Sequence, residues 1–125
     1  MAQISIDSYG WIERMVDGPK ATKYNQIIDD TSPKDIITSA VVVFEAYRKV
    51  KMLAGEMVAL EVAAALENTR VIPVDQRIAM EAADFSIEYK LHFSDALVYS
   101  TARRFGATLY TSDEDLKSLL GVHFI

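Results

Sequence analysis

Three carboxylates stand alone in this chain. Asp7 is the only formal side-chain charge in residues 1–12, Glu45 the only one in 36–47, and Asp95 the only one in 91–102. No lysine or arginine falls in those windows to neutralise them, and an ionised carboxylate turned toward a core is costly unless something pairs with it. Near the end of the chain, Thr111-Ser112-Asp113-Glu114-Asp115 gathers more acid at what reads as the end of a strand. Carboxylates brought together raise one another's pKa unless cations neutralise them. Oxygen-only ligands suit Mg²⁺ or Mn²⁺. The chain has no cysteine, and its two histidines, His92 and His123, lack metal-ligand spacing, which argues against zinc and excludes a thiol nucleophile.

Each acid also has a structural reading. Asp7 and Asp95 could cap helices. Glu45 shares a helix face with Val41 and Val42, and could sit at its margin or pair with a distant arginine. Asp113 and Asp115 could be solvated turn residues before a short helical turn at Leu116 to Leu119. A topology that puts several strand ends at one edge would bring Asp7, Asp95 and Asp113 together.

The elements that would do this alternate along the chain. Ala2 to Ile6 reads as a strand and Ser8 to Val16 as a helix. A second helix is expected over Lys20 to Ile28, with Pro19 at its first turn, and then a turn-rich break over Asp29 to Pro33. Asp35 to Thr38 reads as a strand, and Ser39 as the cap of a helix reaching about Leu53. Gly55 separates it from a helix over Glu56 to Glu67, giving a helical hairpin. Arg70 to Val74 is a strand ended by Pro73, and Asp75 to Glu88 a helix with Ile78, Ala82, Phe85 and Tyr89 at core spacing. Ser94 and Asp95 look like the cap and first-turn acid of a helix that Arg103, Arg104 and Gly106 finish. Ala107 to Tyr110 is a strand candidate, and Val122 to Ile125 an edge strand. Strands alternating with helices predict an α/β domain over residues 1–125, with a mostly parallel central sheet and helices on both faces. In such sheets, sites form at the carboxyl ends of the strands.

At 125 residues, half of them hydrophobic, the chain can bury one core. A net charge of −5 gives no general field for nucleic acid, although a local basic rim or bound cations could still hold a polyanion. There is no basic leader before an apolar run. Glu45 and Glu61 break the most apolar stretches well short of a membrane span. The chain reads as a soluble cytoplasmic protein.

Four pieces, Ile6-Asp7-Ser8, Thr38-Ser39-Ala40 through Glu45-Ala46, Ser94-Asp95-Ala96-Leu97-Val98 and Thr111 through Leu116, occur in an order and spacing that resembles PIN domains. Among these, the chain is most similar to the VapC-type ribonuclease toxins of prokaryotic toxin–antitoxin pairs. The resemblance places the family's acidic quartet on Asp7, Glu45, Asp95 and Asp113. It makes Asp115 an additional acid and Thr111 a hydroxyl near the metal site. Two positions depart from the family pattern. Tyr9 stands where a small polar residue is common, and Leu116 replaces a common aromatic.

The resemblance implies an endoribonuclease that uses Mg²⁺ or Mn²⁺, working as a homodimer restrained by a small antitoxin. Arg14, Arg48, Lys49 and Lys51 are candidates for an RNA-contacting rim. Three further readings are a PIN-like interaction module without catalysis, a receiver-like phosphoacceptor domain using Asp75, and a purely structural α/β domain. The second lacks the acidic pair after the first strand and the late lysine that such domains need.

Overall fold

The computed structural model describes residues 2–125. Five short strands, β1 (Ile4–Ile6), β2 (Ile37–Ser39), β3 (Arg70–Ile72), β4 (Thr108–Thr111) and β5 (Val122–Phe124), alternate with six helices. The helices are α1 (Ser8–Val16), α2 (Ala21–Asp29), α3 (Ala40–Ala54), α4 (Glu56–Glu67), α5 (Gln76–Tyr89) and α6 (Phe93–Arg104). All strand pairs are parallel: β4 lies between β1 and β5, and β2 pairs with β3. A parallel bridge from Ile4 to Ile36 joins the two groups, so the strands run β3-β2-β1-β4-β5 across the molecule.

That order has a functional consequence. The chain winds from β1 outward to β3, then returns to β4 on the other side of β1. The order reverses between β1 and β4, where the carboxyl ends of neighbouring strands leave a crevice in open α/β sheets. Parallel crossovers are right-handed. The outward connections through α1 to α4 and the returning one through α5 and α6 therefore cover opposite faces. Side-chain burial agrees: β1 and β2 are buried at every position, whereas the edge strand β3 is largely exposed.

Local sequence explains most of the boundaries. The Asp7 carboxylate accepts from the Gly10 N–H, and Ser39 and Asp75 cap α3 and α5 in the same way. Gly55 turns the chain between α3 and α4 with φ +90°, a left-handed conformation that glycine adopts without strain. Trp11, Tyr24, Val42, Leu66, Tyr99 and Leu109 fill one continuous core.

Several expectations shift. Pro33–Asp35 forms a 3₁₀ turn, so β2 begins at Ile37 and reaches Ser39, which ends the strand and caps the next helix. Pro19 lies in the turn before α2 and not in its first turn. Helix α6 starts at Phe93 with His92 as its cap residue, so Ser94 is inside the helix and caps nothing. The short turn near the end is a 3₁₀ turn over Glu114–Leu116, capped by Asp113. Tyr89 lies half open to solvent but stacks on Phe85, their ring centroids 6.1 Å apart.

Candidate active site

The crevice between β1 and β4 is a cavity of about 400 Å³. Asp7, Glu45, Asp95 and Asp113 all line it, with Thr111, Ser112, Ser8, Tyr9 and Lys20. Each acid arrives on a different element: Asp7 just after β1, Glu45 in the second turn of α3, Asp95 in the first turn of α6, and Asp113 just beyond β4. Glu45 is partly buried one helical step from the fully buried Val42, so the apolar face of α3 carries it to the cavity wall.

The Asp7 carboxylate is held by four donors. Its Oδ1 accepts from the Gly10 N–H at 2.9 Å and the Tyr24 hydroxyl at 3.2 Å. Its Oδ2 accepts from the Thr111 hydroxyl at 2.7 Å and the Ser112 N–H at 3.3 Å. A carboxylate offers about four lone-pair sites, and here each has a donor. Burial pushes the Asp7 pKa above the usual carboxylate range, and the bonds from Thr111, Gly10, Ser112 and Tyr24 only partly offset it. Thr111 also accepts from the Asp113 N–H at 3.0 Å, so one hydroxyl spaces the two acids.

The other side of the cavity is built differently. Carboxylate oxygens of Asp95, Asp113 and Asp115 lie within 4.8 Å of one another. Among the described residues, no ion pair involves these three, Asp7 or Glu45. Burial, a shared hydrogen bond with Asp113, and the charges of Asp113, Glu45 and Asp115 together push the Asp95 pKa up to about 7. An octahedral Mg²⁺ with bonds of ~2.1 Å holds adjacent oxygens roughly 3 Å and opposite ones about 4.2 Å apart. The donor set fits a hard divalent cation in kind and nearly in spacing. Asp113 is fixed for this by accepting the Asp115 N–H at 2.9 Å.

The candidate basic residues separate. Arg48 and Lys49 line a groove with Ser8 and Glu45 and so adjoin the acidic cavity. Lys51 is one turn further along α3, beside Glu56 at 3.6 Å and over the Tyr47 ring. Arg14 does not join them. Its guanidinium donates to Asp29 at 2.7 Å and Asn25 at 2.9 Å, and it lines a separate cavity with Trp11 and Ile28. Asp75 serves as the cap of α5 and does not line the acidic cavity. Tyr9 forms part of the wall, tilted against Tyr24, and Leu116 is fully buried where it meets the cavity.

Three residues of the site escaped the sequence reading. Tyr24 sits at i, i+3 and i+7 spacing with Ala21 and Ile28, which marks it as core; a buried tyrosine hydroxyl needs a partner, but the pattern cannot name it. Its hydroxyl lies 2.7 Å from Ser112 Oγ. Burial and the Asp7 charge raise the Tyr24 pKa, so it remains a neutral donor. Gly10 gives its ring room, because a Cβ there would stand 2.5 Å from two ring carbons. Ser112 and Lys20 carry no signal beyond their neighbours in the sequence.

This site can be set beside known proteins. A family model for the PIN domain matches residues 5–120, and the chain belongs to the PIN domain family. Among solved structures, a toxin–antitoxin complex from Klebsiella pneumoniae is similar over 98% of this chain and 100% of its own, with 22% identity and a TM-score of 0.81. VapC20 of Mycobacterium tuberculosis, described as a sarcin–ricin loop cleaving toxin, aligns over 92% of each chain at 18% identity and a TM-score of 0.75. DNA-bound VapBC from Salmonella typhimurium covers 100% of this chain and 98% of its own at 13% identity, also with a TM-score of 0.75. Such identities establish a shared fold. No curated protein matches the sequence.

Proposed function

We propose that this PIN domain is an endoribonuclease that hydrolyses RNA phosphodiester bonds with Mg²⁺ or Mn²⁺ and acts as the toxin of a toxin–antitoxin pair in the cytoplasm. The observation that carries this reading is the convergence of Asp95, Asp113 and Asp115 beside Glu45 at the crevice between β1 and β4. Asp95, Asp113 and Asp115 would hold a cation directly, and Glu45 directly or through water. Asp7 joins only through water or by giving up one of its four donors. Such an ion supplies Lewis acidity, which stabilises charge on a phosphoryl oxygen and makes a water acidic enough to attack at neutral pH. The chain's own part is to gather the acids, to hold Asp113 through Thr111, and to offer Arg48 and Lys49 to the RNA backbone.

The structural relatives are toxin and toxin–antitoxin proteins, which supports an antitoxin partner here. Phe44, Met52, Leu53, Met57 and Leu60 leave an exposed apolar face on the α3–α4 hairpin that suits an antitoxin or a second copy in a homodimer.

The test is direct. Purified protein with Mn²⁺ should cleave RNA, and EDTA should abolish cleavage. Asp95→Asn should lower the rate by ~10³-fold or more while the circular dichroism spectrum is kept. Equal cleavage by the variant would assign the activity to a contaminant. RNA left intact by the wild type would leave an interaction module in place of an enzyme.

A further inference from the structure

Among the described residues, Lys20 is the one cation that lines the acidic cavity, and its position is built from both ends. It closes the turn between α1 and α2, and the buried Glu13 carboxylate fixes that turn by accepting the Lys20 backbone N–H at 2.8 Å. Gly18 makes this possible, because a Cβ there would fall 1.8 Å from a Glu13 carboxylate oxygen. At the far end, Lys20 Nζ donates to the main-chain oxygen of Ile125 at 3.1 Å and lies 5.9 Å from the centre of the Phe124 ring. Lys117 Nζ stands over the same ring at 4.7 Å. A lysine on a surface turn ordinarily loses side-chain entropy when it is held. Here backbone, carbonyl and ring hold it beside four carboxylates, yet none of them pairs with it.

We infer that Lys20 is a substrate-binding residue, which takes a phosphodiester oxygen of the RNA on the β5 side of the cavity. This rests on the nuclease reading and adds the path of the strand across the cavity. Arg48 and Lys49 receive the backbone on the α3 side, the scissile group crosses the acids, and Lys20 with Lys117 receives the next phosphate. A phosphate entering an acidic cavity meets repulsion that a bound cation only partly removes. A pre-positioned ammonium lowers it without taking up a cation ligand.

Binding of a short fluorescein-labelled single-stranded RNA, with Ca²⁺ replacing Mn²⁺ to separate binding from cleavage, tests this by anisotropy across a salt series. Lys20→Met should weaken binding about tenfold and flatten the slope of log affinity against log salt by ~0.7, the share of one phosphate contact. Lys20→Arg should keep the slope. Lys34→Met, the same charge change on the exposed turn before β2, should leave both unchanged. Mn²⁺ affinity by calorimetry should stay within about threefold in Lys20→Met. Unchanged RNA binding in Lys20→Met overturns the inference. So does an unchanged slope with tighter Mn²⁺ binding, which would make Lys20 a counter-ion of the acids. A wild type that binds no RNA overturns it as well. Cleavage in Mn²⁺ is scored separately, so a protein that binds RNA through Lys20 without cutting it would sink hydrolysis and leave this inference standing.

Discussion

The two sides of the acidic cavity solve the same electrostatic problem in opposite ways. Asp7 is partly buried and surrounded by donors, two of them backbone N–H groups that cannot turn away. Asp95, also partly buried, faces Asp113, Glu45 and Asp115, whose charges add to burial in raising its pKa. The first carboxylate has a donor for each lone pair, although burial still outweighs them in raising its pKa, and the second faces other acids with no donor of that kind. We read Asp7 as a strut that ties β1 to β4, whereas the Asp95 cluster holds repulsion that a proton or a bound cation would relieve. Substitution of each by its amide should move stability in opposite directions.

Asp7→Asn should give the largest change. Asparagine caps helices about as well as aspartate, so its oxygen can keep the Gly10 N–H. Its amide nitrogen then faces the Ser112 N–H, two donors pointing at each other. The Thr111 and Tyr24 hydroxyls can rotate, but the Ser112 amide cannot. A partly buried donor left without an acceptor costs ~1–3 kcal/mol, so the melting temperature of the metal-free protein should fall by about 8 °C. Calorimetric melting that matched the wild type would mean that the four-donor network carries no stability, and the contrast with Asp95 would be lost.

How far this division was legible in the sequence depends on chain separation. The charge-poor windows around Asp7, Glu45 and Asp95 flagged those acids, because burial and unpaired charge leave a compositional trace. Alternation of strands and helices gave the parallel α/β order for a similar reason. The contacts that tell the two sides apart join residues about a hundred positions apart, such as Thr111 to Asp7 and Ser112 to Asp7. Nothing local encodes them. The start of α6 was misjudged because Ser94 has high cap preference, while the helix begins one residue earlier with an uncapped His92. Arg14 looked like a rim cation because its charge is visible in the sequence and its partners, Asn25 and Asp29, lie on another helix. Lys20 was missed because only the fold brings its turn beside β5.

Asp95→Asn should have a smaller effect of the opposite sign. Asp95 titrates at about 7 when folded and near 3.8 as an ordinary aspartate. Between those values the folded chain binds a proton that the unfolded chain does not. Stability of the metal-free protein should thus fall as pH rises through this window and level off above it. The amide removes that loss. After solvent screening the gain is on the order of 1 kcal/mol, or about 4 °C at alkaline pH, and it should shrink as pH falls toward 3.8. Mn²⁺ should reverse the order by stabilising only the wild type. A variant that melted below the wild type at pH 8 without metal would show that Asp95 is satisfied in some other way.

Tyr24→Phe is the finest probe, because it removes one oxygen and leaves the packed ring beside Gly10 in place. The lost hydroxyl is one of the longer donors to Asp7, at 3.2 Å, and it also meets Ser112. A hydrogen bond this long in a partly exposed site contributes ~0.5–1.5 kcal/mol, so a fall of about 3 °C in melting temperature is expected. Its value lies in what happens to metal binding. If Asp7 is a strut, freeing one lone pair on its Oδ1 should leave Mn²⁺ affinity within about twofold of the wild type, since the ion would be held by Asp95, Asp113 and Asp115. If Asp7 enters the coordination shell through Oδ1, Tyr24 competes with the ion for that lone pair, and removing the hydroxyl should tighten binding. A tenfold rise measured by calorimetry would therefore make Asp7 a ligand in its own right and erase the difference between the two sides of the cavity.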